Sequence, residues 1–155
     1  MIQFKTDAQR ACYEKVRQWL TETFGPTVRV RENAPVFDVW VNLALGGSAL
    51  AHVGVHPWGE DDATVVVRAY VVTDVEITPE LMHFLLREND DMRYGAFGLD
   101  EDDDIFFEHS IVGSTLDKEE LMASVRAVLQ TADKYDDQIR QRWGGRRALD
   151  RIKEE

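Results

Sequence analysis

The sequence predicts an α+β domain: an antiparallel sheet with an N-terminal helix, a short central helix and a long C-terminal helix, in the order α-β-β-β-(β)-α-β-β-α. Three observations carry this reading. Apolar residues recur every three to four positions near both ends of the chain, and every second position from Val28 to Val72. Two further short apolar stretches flank an acidic turn at residues 100–104. The length of 155 residues, with 44% hydrophobic and 10% aromatic content, suits one packed core. Residues 1–145 are read as a single domain and 146–155 as a basic C-terminal tail.

Thr6-Asp7-Ala8-Gln9 is a capping box, in which the Thr hydroxyl accepts from the Gln9 amide and the Gln9 side chain reaches back to the Thr6 amide. Cys12, Val16, Trp19 and Leu20 then form one apolar stripe, and Gly25-Pro26 ends the helix. A short strand over Val28 to Glu32 is expected next. Phe37, Val39, Val41, Leu43 and Leu45, then Ala51, Val53 and Val55, then Val65, Val67, Ala69 and Val71 alternate as strands of a meander. Gly46-Gly47-Ser48 supplies one turn, and residues 57–62 are predicted to be a longer polar loop.

Thr78-Pro79 opens the central helix, with the hydroxyl as cap and the proline where its missing donor costs nothing. Leu81, Met82, Leu85 and Leu86 are its expected apolar face, and it ends near Asn89-Asp90. Tyr94 to Leu99 and Ile105 to Val112 read as a strand pair. Asp117 and Glu120 form a second capping box, with Leu116 and Leu121 as a hydrophobic staple. From Leu121 the stripe continues through Val125, Val128, Ala132, Tyr135 and Ile139 to Trp143, before Gly144-Gly145 stops it. At ~1.5 Å per residue such a helix is about 40 Å long, more than the ~30 Å breadth of a small domain, so its last turns are expected to overhang. The residues after the two glycines are expected to be loosely ordered or weakly helical.

Charge narrows the function. The net charge of −11 repels polyphosphate, which disfavours direct, specific nucleic-acid binding. From Gln138 to Glu155 there are six basic residues against three acids, leaving −14 on the remainder. No apolar run approaches ~20 residues and no leader pattern stands out, so a cytoplasmic protein that does not engage a membrane is expected. The lone Cys12, within an apolar stripe, reads as a buried thiol.

The segment LLRENDDMRYGAFGLDEDDDIFFEH (Leu85 to His109), followed by a capped helix carrying ADKYDDQI (Ala132 to Ile139), resembles the YbjN family. There, a Leu-Asn-containing helix end precedes a strand, an acidic turn and a second strand, and the final helix carries an Ala-Asp pair followed by more acids. The family's Asn-x-Asn-like helix end is here Glu88-Asn89-Asp90. The order of elements is also similar to the type III secretion chaperone fold. The resemblance implies a small homodimeric module akin to chaperones that bind an extended segment of a partner protein.

Candidate chemistry is sparse. Asp100, Asp102 and Asp104 have the spacing of a calcium loop, but counting from Asp100 its sixth and twelfth positions are Ile105 and Ile111, where glycine and glutamate are required. The acidic run therefore reads as a solvated hairpin tip, with no metal site assigned. His52 and His56 share a strand face about 13 Å apart, too far to share a metal directly. His83 is expected in solvent and His109 as a hydrogen-bonded core or rim histidine. No catalytic residue and no cofactor is assigned. The even-numbered sheet residues Trp40, Leu50, His52, Val66, Arg68, Tyr70, Val72 and Phe106 point away from the helices, mixed with Asp38, Asn42 and Glu108. Such a face is too apolar for ordinary solvation. Trp40, Leu50, Val66, Arg68, Tyr70, Val72 and Phe106 are therefore the predicted partner-binding or dimer surface.

The leading reading is a non-enzymatic α+β module, a homodimer that binds or regulates a protein through an extended peptide segment. The alternatives are a small metal-dependent hydrolase using residues 100–104 and the histidines, and a regulator of nucleic-acid metabolism acting through a protein partner.

Overall fold

The computed structural model describes residues 1–44 and 46–154, and side chains as far as Ile152. Leu45 and the side chain of Lys153, both counted above, lie outside the described residues. Helix α1 (Asp7–Phe24) leads through a short 3-10 turn (Gly25–Thr27) into strands β1 (Val28–Val30), β2 (Val36–Asn42), β3 (Ser48–Trp58) and β4 (Asp62–Thr73). Helix α2 (Pro79–Asp91), strands β5 (Ala96–Leu99) and β6 (Ile105–Val112), and helix α3 (Lys118–Trp143) follow, then β7 (Arg146–Arg147) and α4 (Ala148–Glu154). The strands form one antiparallel sheet in the order β1-β2-β3-β4-β6-β5, with β7 on β4.

Period-two alternation explains the core. Phe37, Val39, Ala51, Val53, Val65, Val67 and Phe107 are fully buried or nearly so. α1 lies over this face, with Tyr13 stacked on Phe37 at 4.8 Å and the Gln9 amide donating to the Val55 carbonyl at 2.9 Å. α3 covers the other half, where Ser124 meets His109 and Tyr135 meets Phe97 edge-on at 5.1 Å. α2 completes the layer through Phe84, whose ring is 5.1 Å from that of Trp143.

The caps form where expected. The Thr6 hydroxyl accepts from Gln9, Thr78 from Leu81 and the Asp117 carboxylate from Glu120. Gln9 departs from the simple box: its side-chain oxygen accepts from Lys5 rather than Thr6, while its amide crosses to β3. Pro57 and Trp58 belong to β3, paired with Ala63 and Asp62, so the β3–β4 connection is shorter than the predicted loop. Met82 and Leu86, predicted to face the core, are exposed, because Leu81, Phe84 and Leu85 make the contact. The long helix does not overhang: Ile139 is fully buried and Trp143 packs on Phe84.

Two edges are handled by side chains or by chain return. The Asn89 carboxamide accepts from the Phe97 amide at 2.7 Å and donates to the Phe97 carbonyl at 3.1 Å, closing the outer edge of β5. β3 pairs with β4 only from His52↔Arg68 onward; before this the strands diverge, and β7 takes the vacated side of β4 at Val72 and Thr73. Residues 146–154 thus return to the sheet as a strand and a helix, meeting the helical half of the expectation while being docked rather than loose. Their pairing with β4 and the burial of Ala148 and Leu149 order them.

Removing the Asn89 carboxamide leaves two strand groups without a protein partner. Asn89→Ala is expected to lower stability by about 1–3 kcal/mol in urea titration, with the m-value unchanged.

Candidate functional site

The outer sheet face is built from rows of cross-strand neighbours. Trp40 lies opposite Leu50, His52 opposite both Asp38 and Arg68, and Tyr70 opposite Phe106. Trp40, Leu50, Val66, Arg68 and Tyr70 are half-buried and Phe106 is almost buried. Six of the seven predicted surface residues therefore share this face.

Val72 does not. The β4–β6 register shifts between Tyr70 and Val72, so Val72 pairs with the fully buried Ile105 and is itself fully buried. One extra residue in β4 reverses the alternation beyond it, which strict odd–even counting cannot see.

The polar residues of the face satisfy one another. Arg31 grips Asp38 at 2.7 Å, and His52 Nδ1 lies 2.7 Å from the same carboxylate oxygen. Burial pushes the Asp38 carboxyl up, but hydrogen bonds with His52 and Arg31 outweigh it and hold the group well below the usual carboxylate range. The Arg68 guanidinium sits 3.7 Å above the Phe106 ring and pairs with Glu108 at 2.7 Å. Tyr70 meets Phe106 and His52 edge-on at 6.2 and 5.9 Å. Burial raises the Tyr70 phenol, opposed by Arg68 and reinforced by Asp100. Phe106 lies over Gly98 of β5, where a Cβ would meet its ring at 2.5 Å. Arg31, Val36, His52, Gly54, Val66 and Arg68 line an open groove of about 360 Å³ on this face.

The acidic turn is an Asx turn. The Asp100 carboxylate accepts from the Asp102 and Asp104 amides, both at 3.0 Å, and Asp103 takes a left-handed φ of 61°. Ligand oxygens of Asp100, Asp102 and Asp104 approach within 4.8 Å of one another. Asp104, however, is buried against Arg151 of α4 at 3.1 Å, which supplies the positive charge a cation would bring. Burial pushes the Asp104 carboxyl up, against Arg151. The histidines are not brought together as ligands for this cluster. His109 stacks on Tyr94 at 4.0 Å and meets the Ser124 hydroxyl at 3.0 Å, but Ser124 is fully buried and closed to substrate. Burial lowers the His109 pKa.

A second charged cluster escaped the sequence reading. Asp136, buried on α3, pairs with Arg147 at 3.1 Å, with Arg140 at 3.8 Å, and Asp133 lies 3.7 Å from Arg147. The signal was present in the acidic stretch of the last helix and the basic run after the glycines. What the sequence could not say is that the second folds back upon the first.

The antiparallel sheet thus carries α1, α2 and α3 on one face and paired aromatic and basic side chains on the other. The chain belongs to TY-Chap1, the T3SS (YopN, CesT) and YbjN peptide-binding chaperone 1 family, whose model matches residues 14–151. None of the curated proteins compared matches it. Among solved structures it is similar to the Yersinia pestis type III secretion chaperone SycH, crystallised in complex with a stable fragment of YscM2. That match has 15% identity and a TM-score of 0.52, covering 79% of this chain and 98% of the other, and it is a likeness of fold. The predicted family and fold class are thereby shown. No helix among the described residues is long and apolar enough to cross a membrane.

Two measurements check these electrostatics. Asp136 is pushed up to about 6 from an ordinary 3.8, by burial first, with Arg147 opposing and Asp137 reinforcing. The native state therefore holds this proton more tightly than the unfolded chain. The cost of the ionised group is full above pH about 6 and is relieved as pH falls towards 4. Arg147→Ala is expected to move the Asp136 titration above about 6, read by carboxyl ¹³C NMR. Because Arg151 already neutralises Asp104, millimolar calcium, magnesium or manganese is expected to leave the melting temperature unchanged within about 1 °C.

Proposed function

We propose that this protein is a homodimeric, non-enzymatic module that works in the cytoplasm and holds an extended segment of a partner protein on the outer sheet face. The residues assigned to the contact are Trp40, Leu50, Val66, Arg68 and Tyr70, with Phe106 beneath them. One observation carries the reading: α1, α2 and α3 all lie on the opposite face, while aromatic, aliphatic and guanidinium groups are arrayed on this one. Large aromatics and arginine carry most of the energy of protein interfaces, and an ordered array of them suits a partner segment better than it suits water. Membership of a peptide-binding family supports the same reading.

The proposed dimer contact is the outer ridge of α2. Met82 and Leu86 lie one turn apart and are 41% and 69% exposed. A second copy of α2 would cover both. Asn89 already occupies the β5 edge at Phe97, so helix packing is favoured over continuing the sheet from one copy to the next.

Each aromatic anchor is worth about 2 kcal/mol in such a contact, so full-length Trp40→Ala/Tyr70→Ala is expected to lose its partner by more than about tenfold in pull-down from the host. Its helical circular-dichroism signal should be unchanged; undiminished capture overturns the outer-face contact. Light scattering after size exclusion is expected to report a dimer for the natural sequence and a monomer for Leu86→Glu. A monomer in both cases removes the dimer from the proposal.

A further inference from the structure

The segment from Arg146 onward sits in the sheet as a ligand would. It joins α3 through Gly144 and Gly145, whose φ values of 82° and 90° lie in the left-handed region where a pair of glycines makes a permissive joint. Its strand is two residues long and is not contiguous with any neighbour in the sheet; it enters where β3 and β4 have parted. Its apolar anchorage is small: Ala148 and Leu149 are buried, and Ile152 is half-buried.

The remaining hold on it is electrostatic. Arg146 lies 4.0 Å from Asp74 and Arg147 3.1 Å from Asp136, while Arg151 lies 3.1 Å from Asp104. The aspartates come from three separate places, the β4–α2 loop, α3 and the β5–β6 turn, and converge on one short basic segment. Leu50, Tyr70, Leu129, Ala132, Leu149 and Ile152 line a half-open cleft of about 30 Å³ beside it.

We infer that the gap between β3 and β4 is a second peptide seat, adjoining the outer face at Leu50 and Tyr70, and that residues 146–152 are its built-in occupant. It would take a partner segment of the same chemistry: two basic residues in extended form, then a short apolar turn, then a third basic residue. The inference rests on the peptide-binding reading above. An incoming segment adds a strand to β4 through backbone bonds, and Asp74, Asp104, Asp133 and Asp136 select for positive charge. The protein's own segment competes with it as a tethered ligand, so a free peptide binds in proportion to the fraction of time the seat is empty.

The test uses a fluorescein-labelled synthetic peptide of residues 144–152, titrated by anisotropy into the full chain and into full-length Leu149→Asp/Arg151→Glu. The substitutions expel the native segment by placing carboxylates in an apolar site and against Asp104. A seat nine-tenths occupied weakens apparent affinity about tenfold, so the expelled variant is expected to bind at least about tenfold more tightly than the natural chain. Adding Asp136→Asn, or replacing the peptide's arginines with glutamate, is expected to erase the gain. Equal affinity for the two chains overturns the inference, and so does a gain that survives charge reversal. If the double variant does not melt cooperatively, the natural chain serves: amide resonances of Gly145 to Leu149 are followed by NMR as unlabelled peptide is added. Movement to disordered positions supports displacement, and unchanged positions at millimolar peptide overturn it. Failure here, with host-partner capture through Trp40 intact, removes the second seat alone, because Trp40 lies outside the seat. Loss of that capture with peptide displacement intact removes the outer-face reading alone.

Discussion

The architecture depends on one constraint: a strand's backbone amides and carbonyls must be paired wherever water is excluded. β4 is the longest strand, and β3 accompanies it for only part of its length. β7 is the response at Val72 and Thr73, and brings α4 with it. The same demand at the opposite edge is met by the Asn89 carboxamide on Phe97, which fixes where α2 ends relative to β5. At the hairpin tip it is met by Asp100, whose carboxylate receives the two amides of the turn. An asparagine in a helix end and an aspartate in an acidic run could pass for functional residues; both are occupied by the main chain.

Local physics made most of the fold legible. Capping residues place all three long helices correctly because Thr6, Thr78 and Asp117 act within four residues of themselves. Alternation identifies the meander because each strand buries one face only. What escaped were effects that need a distant partner. The bulge after Tyr70 is invisible in the Val71-Val72 pair, so strict alternation assigns Val72 to the wrong side. Met82 and Leu86 fit a helical stripe as well as Leu81 and Leu85 do, and only the position of α3 decides which pair is covered. The return of residues 146–154 depends on aspartates more than ten residues away or on other elements, which no local window contains.

The distribution of charge is more informative than its total. A net charge of −11 suggests an acidic surface that attracts basic partners everywhere. On the outer face the carboxylates of Asp38 and Glu108 are instead consumed by Arg31, His52 and Arg68. The acids of α3 and of the turn after β4 are met by the chain's last arginines, with Arg140 of α3 adding a pair on the helix itself. The chain's own arginines and aspartates thus meet at one end of the sheet, while aromatic contacts mark its outer face.

Arg68, clamped between the Phe106 ring and Glu108, has a consequence for the thermodynamics of recognition. A free arginine side chain loses up to about 2 kcal/mol of rotamer entropy when it is immobilised, and an interface that relies on mobile arginines incurs that loss on every encounter. Here the loss is taken once, during folding, because the guanidinium is fixed by a ring, a carboxylate and, through Phe106, the bare backbone at Gly98. In the proposed complex the sheet would be a preorganised template, its ordering cost falling on the incoming chain alone, and would discriminate by fit.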